Sequence, residues 1–136
     1  MIIGRHILIV EDEFVVANAL RLLLEKAGYI VMGVSLSASE AVEYIGKQNP
    51  DIVLLDIFLQ GDQTGIELSS RLTEANIPFI YISANSNQQV IEEAKATRPY
   101  GFIVKPFREK DVLVTLEMAL HRHAHSVEAS LRKEQD

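Results

Sequence analysis

Residues 52–61 read IVLLDIFLQG, an apolar run that ends in one aspartate before apolar residues resume. A continuous apolar run of this length is typical of a strand that is buried on both faces of a sheet. A carboxylate next to a core is costly unless it is paired, hydrogen-bonded or bound to a cation. Asp56 therefore needs partners, and these have to come from elsewhere in the chain.

The composition indicates one compact domain. The chain has 136 residues, of which 48% are hydrophobic, and it carries a net charge of -6 and no cysteine. The charge argues against a protein that coats nucleic acid, and the lack of cysteine excludes disulfides and fits a reducing cytoplasm. No apolar run approaches the ~20 residues of a membrane span. We therefore expect a cytoplasmic domain that does not bind nucleic acid or a membrane.

Short apolar runs alternate with helical patterns along the chain. The runs predict strands at residues 6–10, 29–34, 51–56, 78–82 and 101–104, and the last helix is predicted to begin near Glu109. The helix over residues 87–97 looks weak because it has few apolar residues. Repeated strand–helix–strand units predict an α/β fold, a doubly wound parallel sheet with helices on both faces.

Polar side chains follow four of the five predicted strands. In such sheets, sites lie outside the carboxyl ends of the strands. The residues at these ends are Glu11-Asp12-Glu13, Asp56, Ser83-Ala84-Asn85 and Lys105-Pro106. Because these ends meet at one edge, we expect the side chains to converge there, which explains why Asp56 ends a buried strand.

The residue types at this edge suit phosphoryl chemistry. Glu11, Asp12 and Asp56 would repel one another unless a cation joins them. Ligands that are all oxygen favour a hard ion, namely Mg²⁺, Mn²⁺ or Ca²⁺. A carboxylate can also act as a nucleophile toward phosphorus, and Lys105 and Ser83 would supply an ammonium and a hydroxyl for the phosphoryl oxygens.

Four ordered motifs carry a family resemblance. The segments ILIVEDE, IVLLDI, FIYISA and GFIVKPF resemble the landmarks of the receiver domain of two-component response regulators, of the chemotaxis-regulator type. The resemblance covers roughly residues 5–122. It implies a flavodoxin-like five-stranded sheet with strand order 2-1-3-4-5. It also implies a phosphoprotein that transduces signals in a two-component system or phosphorelay.

The resemblance assigns the metal and phosphoacceptor roles. It implies that Asp56 accepts the phosphoryl group and that Asp12 and Asp56 bind Mg²⁺, for which Mn²⁺ could substitute. Glu11 would contact the ion through water, and the backbone carbonyl of Phe58 would be a further ligand. Such a domain catalyses only its own phosphoryl transfer and dephosphorylation, so we do not expect an enzyme with a separate substrate.

The resemblance also assigns the phosphate-binding and switch roles. Ser83, the backbone N–H of Ala84 and Lys105 would bind the phosphoryl oxygens, and Ser83 and Phe102 would change position on activation. The bond before Pro106 would be a cis peptide. The family more often has threonine at the position of Ser83 and tyrosine at that of Phe102. The loop over residues 58–65 lacks a common proline, so we expect an altered loop with unchanged chemistry.

The last helix raises a question of organisation. Its apolar residues follow a near-heptad spacing that continues past the expected end of a receiver, at Leu113, Leu116, Leu120, Ala124, Val127 and Leu131. We expect a receiver domain over residues 1–123 and a helical extension or linker over residues 124–136. The partners implied are a sensor histidine kinase or phosphotransfer protein, a second copy through the last helix, and a downstream output domain.

Two other functions remain open at this stage. A pseudo-receiver would serve only docking or dimerisation and would be expected to lack Asp56, Asp12 or Lys105, all of which are present. A nucleotide- or flavin-binding module on the same fold would need a phosphate-binding loop after the first strand. The acidic residues 11–13 at that position would repel a phosphate unless a metal ion intervened.

Overall fold

The computed structural model describes residues 4–59, 64–84 and 87–135, which form one sheet and its flanking helices. The strands are β1 (His6–Val10), β2 (Ile30–Ser35), β3 (Ile52–Asp56), β4 (Phe79–Ser83) and β5 (Gly101–Val104). The helices are α1 (Phe14–Lys26), α2 (Ala38–Lys47), α3 (Gly65–Glu74), α4 (Gln88–Ala96) and α5 (Glu109–Gln135). All neighbouring strands pair in parallel in the order β2-β1-β3-β4-β5, which confirms the predicted doubly wound fold.

The sheet is covered on both faces. On one face, residues of α1 and α5 such as Leu20 and Leu116 pack against Ile9 and Leu54 of the sheet. On the other face, residues of α2, α3 and α4 pack against the alternate positions of the same strands. All five residues of β3 are buried, including Asp56. The unbroken apolar run thus marks a central strand, as predicted.

Two strands end one residue later than the sequence pattern predicts. Parallel pairing continues beyond the last apolar residue, because the N–H of Glu11 donates to the carbonyl of Ser35 at 2.9 Å and that of Lys105 to the carbonyl of Ser83 at 2.9 Å. These two bonds extend β2 and β4 to their terminal serines. They also fix the backbone at the edge where the candidate site lies.

Side-chain caps explain where the helices on one face begin. Ser37, Thr64 and Asn87 each accept a hydrogen bond from a backbone N–H in the first turn of α2, α3 and α4, at 3.0–3.2 Å. Such caps contribute about 1 kcal/mol each. The cap at Asn87 is one reason why α4 forms although its apolar pattern is weak.

Helix α5 is a single helix of 27 residues. Its fully buried residues are Val112, Leu116 and Ala119, and Leu113 and Leu120 are partly buried against the same core. Beyond the sheet, Ala124 and Leu131 are exposed. None of the described helices combines the length and apolarity that a membrane crossing requires.

Candidate functional site

The carboxyl ends of four strands meet at one edge of the sheet. Val10 of β1 pairs with Leu55, Asp56 of β3 pairs with Ile82, and Ser83 of β4 pairs with Val104. Residues that directly follow these positions are therefore neighbours in space. The register brings the acidic segment 11–13, Asp56, Ser83 and Lys105 to the same edge, as the sequence predicts.

Lys105 lies at the centre of this edge and contacts three carboxylates. Its Nζ donates to Oε1 of Glu11 at 2.5 Å, to Oδ2 of Asp56 at 3.1 Å and to Oε1 of Glu13 at 3.4 Å. Its side chain is only 12% exposed. Burial alone would lower the pKa of Lys105, but the hydrogen bonds and charges of Glu11 and Asp56 outweigh it and raise that pKa. The ammonium is therefore charged at neutral pH.

Asp56 is held through both of its carboxylate oxygens. Oδ2 accepts from Lys105, and Oδ1 accepts from the backbone N–H of Phe58 at 3.1 Å. The residue is 5% exposed. A carboxylate at the end of a buried strand is thus compensated by one charged and one neutral donor, which answers the question that its position raises.

Glu11 is a buried carboxylate with one oxygen left without a donor in the described part of the chain. It is 2% exposed, and its Oε2 has no hydrogen-bond partner among the described residues. Burial and the neighbouring Asp56 carboxylate raise the pKa of Glu11, although Lys105 acts in the opposite direction. A buried oxygen without a donor has a lone pair available for a water or a cation.

The carboxylates fit a hard divalent cation. Glu11, Asp12, Glu13 and Asp56 each offer an oxygen, and these oxygens lie within 4.8 Å of one another. The donor set is entirely oxygen, which suits Mg²⁺ or Mn²⁺. Oε2 of Glu11 also has no hydrogen-bond partner among the described residues. The residues present therefore fit a Mg²⁺ or Mn²⁺ ion.

Glu13 is a member of the site that the sequence analysis leaves without a role. It is the N-cap of α1, but its side chain makes no capping hydrogen bond and instead contacts Lys105. The only signal in the sequence is its place directly after Glu11 and Asp12. A sequence pattern does not tell which of three adjacent acidic side chains turns toward the site.

Gly65 is a second residue that the sequence analysis misses. It begins α3, and a Cβ built on it would lie 2.1 Å from the backbone carbonyl oxygen of Asp56. Its N–H donates to the carbonyl of Ile57 at 2.9 Å. The start of α3 therefore packs directly on the backbone of the key aspartate, and only glycine allows this approach.

The remaining predicted residues lie on β4 and β5 or directly after these strands. Ser83 is fully buried, whereas Ala84 is exposed at the end of β4. Phe102 is half-buried, and its ring lies 6.2 Å from that of Tyr81 in an edge-to-face arrangement. The Lys105–Pro106 peptide bond is cis, the geometry expected for it. Asn85 and the loop residues 60–63 lie outside the described residues.

Comparison with known proteins places these features in a family. A family model described as the response regulator receiver domain matches residues 7–117. The chemotaxis protein CheY of Thermotoga maritima is 34% identical over 115 residues, which cover 83% of this chain and 95% of that protein. The transcriptional regulatory protein PdtaR of Mycobacterium tuberculosis is 30% identical over 121 residues. This match covers 88% of the chain but only 58% of PdtaR.

Solved structures agree with the sequence matches. The signal receiver domain of a modulated diguanylate cyclase from Desulfovibrio desulfuricans G20 superposes with a TM-score of 0.85 and 35% identity, covering 90% of this chain and 98% of that one. A fusion protein that carries a trimeric coiled-coil segment of yeast Spc42 superposes with a TM-score of 0.90 and 28% identity. That match covers 100% of this chain and 88% of the fusion.

Receiver domains are signalling modules of two-component systems, and phosphorylation and bound Mg²⁺ are typical of them. The family match covers most of the chain, and the fold and the acidic edge agree with it. The chain therefore belongs to the receiver-domain family of response regulators.

Proposed function

We propose that Asp56 accepts a phosphoryl group from a phosphohistidine of a partner histidine kinase or phosphotransfer protein. The observation that carries this proposal is the position of the Asp56 carboxylate, 3.1 Å from the ammonium of Lys105 and within a group of four carboxylates. A nucleophile, a fixed cation and a set of metal ligands are the components that phosphoryl transfer requires.

The transfer is a substitution at phosphorus. One carboxylate oxygen of Asp56 forms the new O–P bond while the P–N bond of the donor breaks. The donor imidazole, which carries a proton on its other nitrogen, leaves as a neutral ring with the electron pair of the broken bond. The two hydrogen bonds from Lys105 and the Phe58 N–H keep the carboxylate in one orientation, which lowers the entropic cost of the attack.

Lys105 stabilises the charge before and after transfer. Its ammonium pairs with the carboxylates of Asp56 and Glu11. When Asp56 carries a phosphoryl group, the same ammonium can pair with a phosphoryl oxygen from its place beside Asp56. A charge that is held by the protein in advance needs little reorganisation during the reaction.

Four groups would hold Mg²⁺, or Mn²⁺ in its place. They are the carboxylates of Glu11, Asp12 and Asp56 and the backbone carbonyl of Phe58, and Glu11 would act through water. The mutual proximity of the three carboxylates supports this assignment. Bound there, the ion supplies positive charge that offsets the negative charge of the phosphoryl oxygens.

Phosphorylation of Asp56 would change the surface formed by α4, β5 and α5. Three groups would transmit this change: Ser83, the N–H of Ala84 and Phe102. Ser83 is the last residue of β4 and Ala84 follows it, directly after Ile82, which pairs with Asp56. From there, the hydroxyl of Ser83 and the N–H of Ala84 would donate to a phosphoryl oxygen. Phe102 packs on Tyr81, whose hydroxyl lies 2.7 Å from Oγ1 of Thr97 at the end of α4. A change in the rotamer of Phe102 would therefore disturb Tyr81 and the end of α4.

Exposed apolar side chains near the site support docking of a phosphoryl donor. Phe14 and Val15 directly follow the acidic segment and are 74% and 80% exposed, and Phe58 is 50% exposed. Large apolar side chains that stay in water beside a charged site are typical of a protein contact surface. The partner would place its phosphohistidine over Asp56 from this side.

We also propose a division of the chain at the end of the sheet-covering part of α5. Residues 1–123 would form the receiver domain, and residues 124–136 an extension that leads to an output domain or pairs with a second copy. The near-heptad spacing of the apolar residues from Leu113 to Leu131 supports the pairing. The chain spans little more than half of PdtaR, so we also propose that an output function lies with another domain or partner. The proposed phosphoryl transfer requires neither nucleic acid nor a membrane.

Incubation with acetyl phosphate tests the proposal. With MgCl₂ present, intact-mass spectrometry should detect the gain of one phosphoryl group, and EDTA should abolish it. Asp56→Asn should show no gain, whereas Asp111→Asn, a matched control at the start of α5, should react like the unchanged protein. No gain with Mg²⁺ present would favour the docking module, and tight binding of a nucleotide or flavin would favour the nucleotide- or flavin-binding module.

A further inference from the structure

A cleft lies at the amino ends of β4 and β5, at the opposite edge of the sheet from Asp56. It has a volume of about 470 Å³ and is lined by the segments that precede β4 and β5 and by one side of α5. Its polar lining residues include Asn76, Arg98, Arg122, His123 and Ser126. The volume lies within the range of small-molecule sites, which is about 300–1,000 Å³.

The cleft is positively charged in an acidic protein. Two arginines line it, and none of the described residues that line it is acidic. Neither Arg98 nor Arg122 forms an ion pair within the described part of the chain, although the whole chain has a net charge of -6. A guanidinium group without an acidic partner keeps its paired N–H donors available to an anion.

Neutral contacts hold the side chain of Arg122 in place. The guanidinium of Arg122 donates to the carbonyl of Tyr100 and lies 5.2 Å from the centre of its ring. The hydroxyl of Tyr100 lies 3.3 Å from Nδ1 of His123, and the two rings pack edge to face. These contacts orient the groups but leave the positive charge of Arg122 without a counter-ion, so the remaining guanidinium donors are available to a ligand.

Arg98 occupies a backbone conformation that favours other residues. It follows α4 with a φ of 57°, in the left-handed region, and Asn76 follows α3 with the same φ. Glycine adopts this conformation without a steric cost and asparagine tolerates it well, whereas arginine adopts it at a steric cost. The backbone therefore gains nothing from arginine here.

We propose that this cleft binds a small phosphorylated anion, with Arg98 and Arg122 as the ligands of the phosphoryl group. Guanidinium groups bind phosphate through paired N–H donors, and Asn76 and Ser126 add neutral polar groups to the lining. The volume exceeds the need of phosphate alone, so the cleft has room for a phosphate monoester. Burial and the charge of Arg5 lower the pKa of His123, and a bound dianion would act in the opposite direction. The site is independent of Asp56 and goes beyond the proposed function.

Nuclear magnetic resonance titration tests this proposal. The measurement uses Asp56→Asn protein in EDTA at constant ionic strength, so that the acidic edge does not contribute. Inorganic phosphate and adenosine monophosphate are added in separate titrations, and sodium chloride serves as the blank. Both phosphates should give saturable shifts of the amides of Asn76, Arg98 and His123. Tighter binding of the monoester identifies an organic phosphate as the ligand, and equal binding identifies phosphate itself.

Two variants separate binding from stability. Arg98→Gly should weaken binding about tenfold or more, the effect of a lost charged hydrogen bond, while the melting temperature stays the same or rises because glycine suits a positive φ. Arg122→Gln should weaken binding as well, and Arg21→Gln, a control on α1, should not. The proposal is overturned if chloride produces the same shifts, if none saturates, or if Arg98→Gly binds as the unchanged protein does.

Discussion

Lys105→Met should make the folding of this domain depend strongly on Mg²⁺. Methionine keeps most of the side-chain volume and removes the ammonium that contacts Glu11 at 2.5 Å and Asp56 at 3.1 Å. Both carboxylates are nearly fully buried. Without the ammonium, the acidic edge has no fixed cation among the contacts described for it.

The size of the effect follows from these two contacts. Removing one partner of a buried ion pair costs about 3–5 kcal/mol, because the other charge is left without compensation. The third contact, to the exposed Glu13, adds little. The raised pKa of Glu11 lets this carboxyl take up a proton, which limits the loss. We therefore expect the free energy of unfolding in EDTA to fall by roughly 2–4 kcal/mol.

Magnesium should restore much of this loss. The ammonium and the cation compete for the same carboxylates, so the variant should bind Mg²⁺ more tightly than the unchanged protein. Each tenfold gain in affinity adds about 1.4 kcal/mol of stabilisation at saturating Mg²⁺. The variant should still be impaired in the response to phosphorylation, because the phosphoryl group would lack its ammonium partner.

Urea unfolding followed by circular dichroism, in EDTA and in MgCl₂, measures both effects. Lys95→Met is the matched control. Within the described part of the chain, Lys95 pairs only with the exposed Glu92 at 3.3 Å, and its loss should cost less than about 0.5 kcal/mol. Equal stabilisation of the variant and the unchanged protein by Mg²⁺ would refute the competition between the Lys105 ammonium and Mg²⁺ for the carboxylates. An unchanged midpoint in EDTA would refute the role of Lys105 in compensating the buried carboxylates.

Three further perturbations test other parts of the account. Gly65→Ala should slow phosphorylation by acetyl phosphate and cost about 1–3 kcal/mol, because its Cβ would displace the backbone of Asp56; normal rates would contradict this. Leu116→Ala should lower the free energy of unfolding by about 2–5 kcal/mol, and Val114→Ala, on the exposed side of α5, by less than about 0.5 kcal/mol; similar losses would mean that the helix face is misassigned. Burial lowers the pKa of His123 in the folded protein below its ordinary value of 6.5. As the pH falls, the unfolded chain therefore binds a proton at this histidine at a higher pH than the folded protein does. The free energy of unfolding should fall as the pH drops through 6.5 and below. His123→Gln should reduce this fall in urea midpoints between about pH 7.5 and 5.5, and an identical fall in the variant would show that other groups cause it.

The sequence predicts the elements and the position of the site well, because both depend on local patterns. The apolar run that ends in Asp56 identifies a central strand, and the parallel fold then fixes which other strand ends lie beside it. Lys105 is identified in the same way, from its position after β5. The order of strands follows from the family resemblance, and pairing in the structure confirms it.

Contacts between side chains of different elements are harder to predict. Nothing in the sequence indicates that Glu13 turns toward Lys105 instead of capping α1, or that Gly65 packs on the carbonyl of Asp56. Both depend on distances of a few ångströms between segments that are far apart in the chain. The sequence does not predict the cleft with Arg98 and Arg122 for the same reason, since its residues come from three separate segments.

The chemical identity of the modified residue tests the central claim most directly. Phosphorylated protein is reduced with borohydride, which converts an aspartyl phosphate to homoserine, and is then digested and sequenced by mass spectrometry. We expect homoserine at position 56 and at no other aspartate, only when Mg²⁺ and a phosphoryl donor are present. Homoserine at Asp12, or phosphate on a serine or histidine with Asp56 unmodified, would contradict the account.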